Sequence, residues 1–253
     1  MDNPFTRLSP APEWLVERPI AHRALHDKNA NRVENSFSAF QAAIDAGYAI
    51  ECDLQVSKDR SPMVFHDPVL GRLTAVDGNV RDQASDQLEA MKLLDSDDGI
   101  YLLRKHLEQV AGRVPLVLEL KGVQGHDDGF VEGVADALKS YSGPVAVMSF
   151  DHWICEQFQH LLPNVPRGLT AEGSDEVYDT HKAAMLEFDL QFVSYHVDAL
   201  PNRFVSQVRD AGLPVITWTV RNDQQVAQTF QHADQMTFEG FLPRNTLNRN
   251  TYG

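Results

Sequence analysis

Basic side chains are scarce in this sequence. Lysine and arginine number 22 against 36 aspartates and glutamates, a formal net charge of −14 over 253 residues. No basic stripe is available to neutralise a run of phosphates, which argues against nucleic acid as a partner. Small anionic substrates stay open, because one local cation outweighs a diffuse negative surface. Cysteine is also rare: Cys52 and Cys155 are the only two, and they form no paired-ligand spacing. So low a count suits a reducing compartment. There is no apolar run of the length a membrane-spanning helix needs, about 18 residues. The opening Met1-Asp2-Asn3-Pro4-Phe5 lacks the basic and apolar regions of a secretory signal. A cytoplasmic protein is therefore expected. No Gly-x-Gly-x-x-Gly opens a helix, so the usual dinucleotide fingerprint is missing. Internal repeats, long linkers and low-complexity tracts are missing too.

What the chain does have is a hydrophobic fraction of 43%, enough for one large α/β domain or two small ones. Strand-like and helix-like pieces alternate along it. Strands are expected at 19–23, 50–56, 62–65, 115–121, 144–150, 167–171, 192–195, 214–220 and 236–238. Helices are expected at 36–47, 85–92, 104–112, 129–141, 153–162, 177–188, 202–211 and 224–230. Phe37, Phe40, Ala43 and Ile44 have helical spacing, and Gly47 supplies a stop. Residues 95–99 read as a solvated acidic turn. Roughly eight βα units in this length fit an α/β fold of the (β/α)8 TIM barrel type. The expectation is a single domain over 1–253 with its core at about 19–243. A doubly wound open sheet is the runner-up.

Two of the strands carry charge that a buried strand would not keep without a reason. In Ile50-Glu51-Cys52-Asp53-Leu54, side chains two apart share a face, so Glu51 and Asp53 project together. In Leu118-Glu119-Leu120-Lys121, Glu119 and Lys121 do the same. Three carboxylates in apolar surroundings repel one another unless a cation sits among them. Oxygen ligands favour a hard ion, Mg²⁺ or Ca²⁺, over zinc. The alternatives are a solvent-facing edge strand for Glu51 and Asp53, and a plain salt bridge for Glu119 and Lys121. In a barrel these groups would sit at the C-terminal strand ends, where function gathers. His22 and His66 fall at such ends as a candidate acid/base pair, since imidazole titrates near neutrality. Arg23 offers a planar fork for phosphate, or an ion pair with Glu34. Trp218 reads either as core packing or as a substrate wall.

These segments, in this order, resemble the glycerophosphodiester phosphodiesterase family. Its His-Arg-Gly strand end is matched by His22-Arg23-Ala24, and its Pro-Glu-Asn by Val33-Glu34-Asn35. Its Glu-x-Asp strand is matched by Glu51-Cys52-Asp53. Phe65-His66-Asp67 matches in full, with Leu70-Gly71-Arg72-Leu73-Thr74 following. Glu119-Leu120-Lys121 and Trp218-Thr219-Val220 complete the series. The usual Thr-Asp-x-Pro ending is replaced by Thr237-Phe238-Glu239-Gly240. The resemblance implies a (β/α)8 barrel, one divalent cation, and cleavage of a small-molecule phosphodiester to sn-glycerol 3-phosphate and an alcohol. It implies His22 and His66 as the acid/base pair and Glu51, Asp53 and Glu119 as metal ligands. It makes Arg23 and Lys121 phosphate contacts and Glu34 a metal-adjacent or orienting carboxylate. A lysophospholipase D-type activity on a lipid head group and a non-catalytic phosphate-ligand-binding barrel are the alternatives. Mg²⁺ versus Ca²⁺, the head-group alcohol and homo-oligomer formation stay open.

Overall fold

The structure, a computed structural model, describes residues 3–252. Met1, Asp2 and Gly253, which end the expected 1–253 domain, lie outside the described residues. Among the described residues eight parallel strands alternate with eight α-helices, the element order of a (β/α)8 barrel. A ninth strand is antiparallel. No described helix is long and apolar enough to cross a membrane.

By its contacts the chain divides into two compact units, Arg23–Pro144 and Met1–His22 with Val145–Gly253. In the first unit, β2 (Ala49–Val56) pairs in parallel with β4 (Leu116–Leu120), Asp53 lying opposite Glu119. Antiparallel β3 (Pro62–Val64) lies along the other edge of β2. The helices are α1 (Phe37–Ala46), α2 (Ser85–Glu89), α3 (Leu103–Val110) and α4 (Phe130–Leu138). Ser36 caps α1 by accepting from the Ala39 amide, and Gly47 closes it at φ +75°, a backbone that glycine adopts without steric cost. The long connection after β3 has its own apolar support. Met63, Phe65, Leu70, Leu73, Val80, Leu88, Leu93 and Ile100 form one buried cluster.

In the second unit β1 (Ile20–Ala21), β9 (Gln235–Phe238), β8 (Val215–Val220), β7 (Phe192–His196), β6 (Arg167–Ala171) and β5 (Val145–Ser149) lie side by side, all parallel. Helices α5 (His152–Leu161), α6 (Tyr178–Glu187), α7 (Arg203–Asp210) and α8 (Asp223–His232) follow β5 to β8 in turn. Strands of both units are buried almost throughout, as continuous apolar runs covered on both faces should be.

Element boundaries differ from the periodicity mainly at their ends. The strand expected at 19–23 keeps only Ile20 and Ala21, because Arg23 and Ala24 take φ of +52° and +62°, outside the β region. The helix expected at 85–92 stops at Glu89, and residues 92–99 turn back on themselves through a Lys92–Gly99 bridge.

One buried group was not foreseen. His106, on α3, is 0% exposed and sits against the rings of Phe37 and Phe40 at centroid distances of 4.5 and 4.2 Å. Neither ring nitrogen has a hydrogen-bond partner among the described residues. Burial lowers its pKa to about 3. As pH falls below the ordinary histidine value of about 6.5, the unfolded chain takes up a proton that the folded chain refuses. His106 therefore costs stability progressively from pH 6.5 down to about 3. Urea titrations should show a loss of about 1.4 kcal/mol from this group roughly one unit below its ordinary value. His106→Leu should remove that slope, whatever its effect on stability at neutral pH.

Candidate active site

The first unit brings Glu51, Asp53 and Glu119 together. Each carboxylate contributes one oxygen to a cluster whose members all lie within 4.8 Å of one another. The parallel register of β2 and β4 accounts for this, since Asp53 and Glu119 are paired positions and Glu51 lies two residues back on the same face. Their exposures are 2%, 1% and 6%, so the solvent-facing edge-strand alternative does not hold.

Positive charge partly compensates. Lys121 Nζ lies 2.8 Å from Asp53 Oδ1 and 3.0 Å from Glu119 Oε2. Arg23 Nη1 donates to Glu34 Oε1 at 2.8 Å, and its Nε is 3.6 Å from Asp53 Oδ2. The ion pairs weighed as alternatives for Arg23 and Lys121 are thus present. Asp53 Oδ2 accepts from Asn35 Nδ2 at 2.9 Å, and Glu51 Oε2 from the Arg23 amide at 2.8 Å. Sequence reasoning passed over Asn35. Its place in Val33-Glu34-Asn35 was the available signal.

Compensation is incomplete. Glu51 Oε1 and Glu119 Oε1 are buried and accept no hydrogen bond among the described residues. Burial, then the charges of Asp53 and Glu119, push the Glu51 carboxyl well above its usual range. Burial raises Glu119 to about 7, with Lys121 opposing and Asp53 adding to the rise. For Asp53, burial is outweighed by Lys121, His66 and Arg23, which hold it well below the usual range. Two orphaned carboxylate oxygens in an all-oxygen donor set fit a hard divalent cation.

His66 follows β3. Its Nδ1 lies 2.6 Å from Asp67 Oδ1, and its Nε2 is 4.0 Å from Asp53 Oδ1. A carboxylate only accepts, so Nδ1 carries the proton and Nε2 is the open nitrogen. Burial lowers the His66 pKa, with Asp53 opposing and Lys121 assisting; the imidazole is therefore neutral at neutral pH. Arg72 pairs with Asp67 and reaches Glu34 with Nη2 to Oε1 at 2.6 Å and Nη1 to Oε2 at 3.0 Å. One guanidinium thus holds both the carboxylate behind His66 and the one behind Arg23. Gln55 Nε2 donates to the His66 carbonyl at 2.9 Å, which fixes the backbone as well.

His22 and Trp218 belong to the second unit. His22 Nδ1 lies 2.6 Å from Glu239 Oε2. The partly exposed Trp218 ring meets Phe150 and His196 edge-to-face at 5.4 and 4.8 Å, and its Nε1 donates to the Ser194 carbonyl at 3.2 Å.

The pattern of the Glycerophosphoryl diester phosphodiesterase family matches residues 22–241. The chain belongs to that family. It is 29% identical over 221 residues to a glycerophosphodiester phosphodiesterase of Caldanaerobacter subterraneus subsp. tengcongensis, covering 79% of this chain and 84% of that protein. A glycerophosphodiester phosphodiesterase of Bacillus altitudinis is 31% identical over 157 residues, 58% of this chain and 63% of the other. Among solved structures, an Oleispira antarctica phosphodiesterase in complex with the product sn-glycerol-3-phosphate superposes with a TM-score of 0.78 at 21% identity, over 89% of this chain and 93% of that one. The Thermotoga maritima glycerophosphodiester phosphodiesterase gives 0.71 at 20%, over 87% and 92%. At these identities the structures support the fold.

The raised pKa values have a measurable consequence. Without a metal, burial and mutual charge favour the protonated carboxyls of Glu51 and Glu119 in the folded chain over the unfolded one. Stability should therefore fall as pH rises from the ordinary glutamate value, about 4.5, through about 7. Glu51→Gln should shrink this fall in thermal melts run with EDTA. Mg²⁺ should raise the melting temperature of the wild type, and that of Glu51→Gln less, as an ion bound only by the folded state would.

Proposed function

We propose that this protein hydrolyses glycerophosphodiesters to sn-glycerol 3-phosphate and an alcohol, using one divalent cation, Mg²⁺ or Ca²⁺. The observation that carries this reading is the convergence of Glu51, Asp53 and Glu119 beside Lys121, with buried oxygens left over for an ion. Family membership and the product bound to the Oleispira antarctica relative support the substrate class.

Glu51, Asp53 and Glu119 would hold the cation, which supplies positive charge where phosphate oxygens gain negative charge. Arg23 and Lys121 are assigned to the same task from the protein side. Glu34 and the Asp53–Glu119 pair already orient them, and donors remain. Lys121 has three N–H groups and two close acceptors. Trp218 is assigned as a wall against the departing alcohol. His22 and His66 are assigned the proton transfers. One takes the proton of the glycerol 2-hydroxyl as that oxygen attacks phosphorus, and the other gives a proton to the leaving alkoxide. Water then opens the cyclic phosphate. The neutral His66, with Nδ1 held by Asp67, has Nε2 available to accept.

A single domain over 1–253 is supported by a family match that spans residues 22–241. A cytoplasmic setting is supported by two buried free cysteines. A second reading has one observation in its favour. Leu242 and Phe150 are exposed apolar residues, at 74% and 41%, just beyond β9 and β5. Exposed apolar side chains of this kind would suit the acyl chain of a lysophospholipid.

Offering glycerophosphocholine, glycerophosphoethanolamine, glycerophosphoglycerol and a lysophospholipid in parallel decides between the two. Glycerol 3-phosphate should appear from the head-group diesters. Release of lysophosphatidate from the lysophospholipid alone would favour the second reading. His22→Ala and His66→Ala should each lose at least ~10²-fold in kcat, and near-normal turnover in a folded variant would refute that residue's role. EDTA should abolish turnover and Mg²⁺ or Ca²⁺ restore it; full activity in metal-free protein would defeat the metal assignment.

A further inference from the structure

The place where the chain departs from the family's Thr-Asp-x-Pro ending carries an ordered feature. Parallel register pairs Ala21 of β1 with Phe238 of β9, and Phe238 with Val220 of β8. The next residue on each of these three strands is His22, Glu239 and Arg221. The His22 amide donates to the Phe238 carbonyl at 3.0 Å and the Glu239 amide to the Val220 carbonyl at 3.0 Å, so the register continues one step past the strand ends. The side chains meet in the same sequence. His22 Nδ1 is 2.6 Å from Glu239 Oε2, and Arg221 Nε donates to Glu239 Oε1 at 2.6 Å.

We propose that Glu239, held by Arg221, is the positioning residue for the His22 imidazole. This rests on the reading that His22 transfers a proton in phosphodiester cleavage. A carboxylate has no hydrogen to give, so its partner nitrogen must donate. Glu239 therefore places the His22 proton on Nδ1 and leaves Nε2 as the nitrogen that exchanges protons with substrate. It also fixes the ring about χ1 and χ2, as carboxylates do behind functional imidazoles elsewhere. His66 is held by the same chemistry, with Asp67 on Nδ1 and Arg72 behind Asp67. The difference lies in the chain. Asp67 is the next residue after His66, whereas Glu239 is 217 residues from His22 and reaches it only through strand register. Glu239 does this from the position where the familiar ending is missing. Arg221 is half exposed, and it keeps the Glu239 carboxylate aimed at the ring.

The test combines steady-state kinetics on glycerophosphodiesters with ¹⁵N NMR of the His22 ring, in the full-length metal-loaded protein. Wild type should show the His22 proton on Nδ1. Glu239→Ala should move it toward the Nε2–H form and lower kcat on the order of 10–100-fold, with KM little changed. Glu239→Gln, which retains an acceptor oxygen, should recover part of that loss. Arg221→Ala should give a smaller effect of the same sign. In a His22→Ala background, Glu239→Ala should cause no further loss. An unchanged tautomer in Glu239→Ala overturns the proposal, even if activity falls. So does a full additive loss on top of His22→Ala. A wild type inactive on every glycerophosphodiester overturns the reaction assignment, and with it the turnover effect. The tautomer change in that case would uphold the placement of His22 by Glu239.

Discussion

Burying three carboxylates side by side is the constraint around which the first unit is arranged. Each costs several kcal/mol to desolvate as an anion, and together they also repel. The protein answers with Lys121 between Asp53 and Glu119, Asn35 on Asp53 and a backbone amide on Glu51. These contacts hold Asp53 ionised. They leave Glu51 and Glu119 with orphaned oxygens and raised pKa values. A hard divalent cation would satisfy these oxygens, since it would be coordinated by them and would remove the repulsion together.

His22 and His66 follow one rule in two forms. Each places Nδ1 on a carboxylate, and each carboxylate is gripped from behind by an arginine. For His66 the arrangement is local, carried by a loop whose buried cluster from Met63 to Ile100 keeps Asp67 and Arg72 in place. For His22 it is carried by three neighbouring strands. The local form depends on loop packing, and the non-local one on the β8–β9–β1 register. Side chains presented by the ends of strands inherit the stiffness of the sheet, which suits groups that must be held within a fraction of an ångström.

The strand pattern was legible because each charged pair sits at i, i+2 on an otherwise apolar strand. Glu51 with Asp53, and Glu119 with Lys121, announce both the strand and its polar face through the two-residue period. Short motifs in a fixed order added the family, and the helix over Phe37–Ala46 was readable from its apolar spacing and its Gly47 stop. His106 was not legible. A histidine on an amphipathic helix looks the same in sequence whether its ring meets water or two phenylalanines. Asn35 was visible only as part of a motif, since its bond to Asp53 crosses 18 residues.

By itself the sequence determined the alternation of strands and helices, the charged pair on each of two strands, and the family to which the chain belongs. Those follow from periodicity and from residue order, which are properties of the chain. Only the tertiary structure decided which charges touch. It made Arg72 the link between Asp67 and Glu34, and brought Glu239 to His22 across 217 residues. Contacts of that separation are set by strand register and loop packing, and no local pattern in a sequence encodes them.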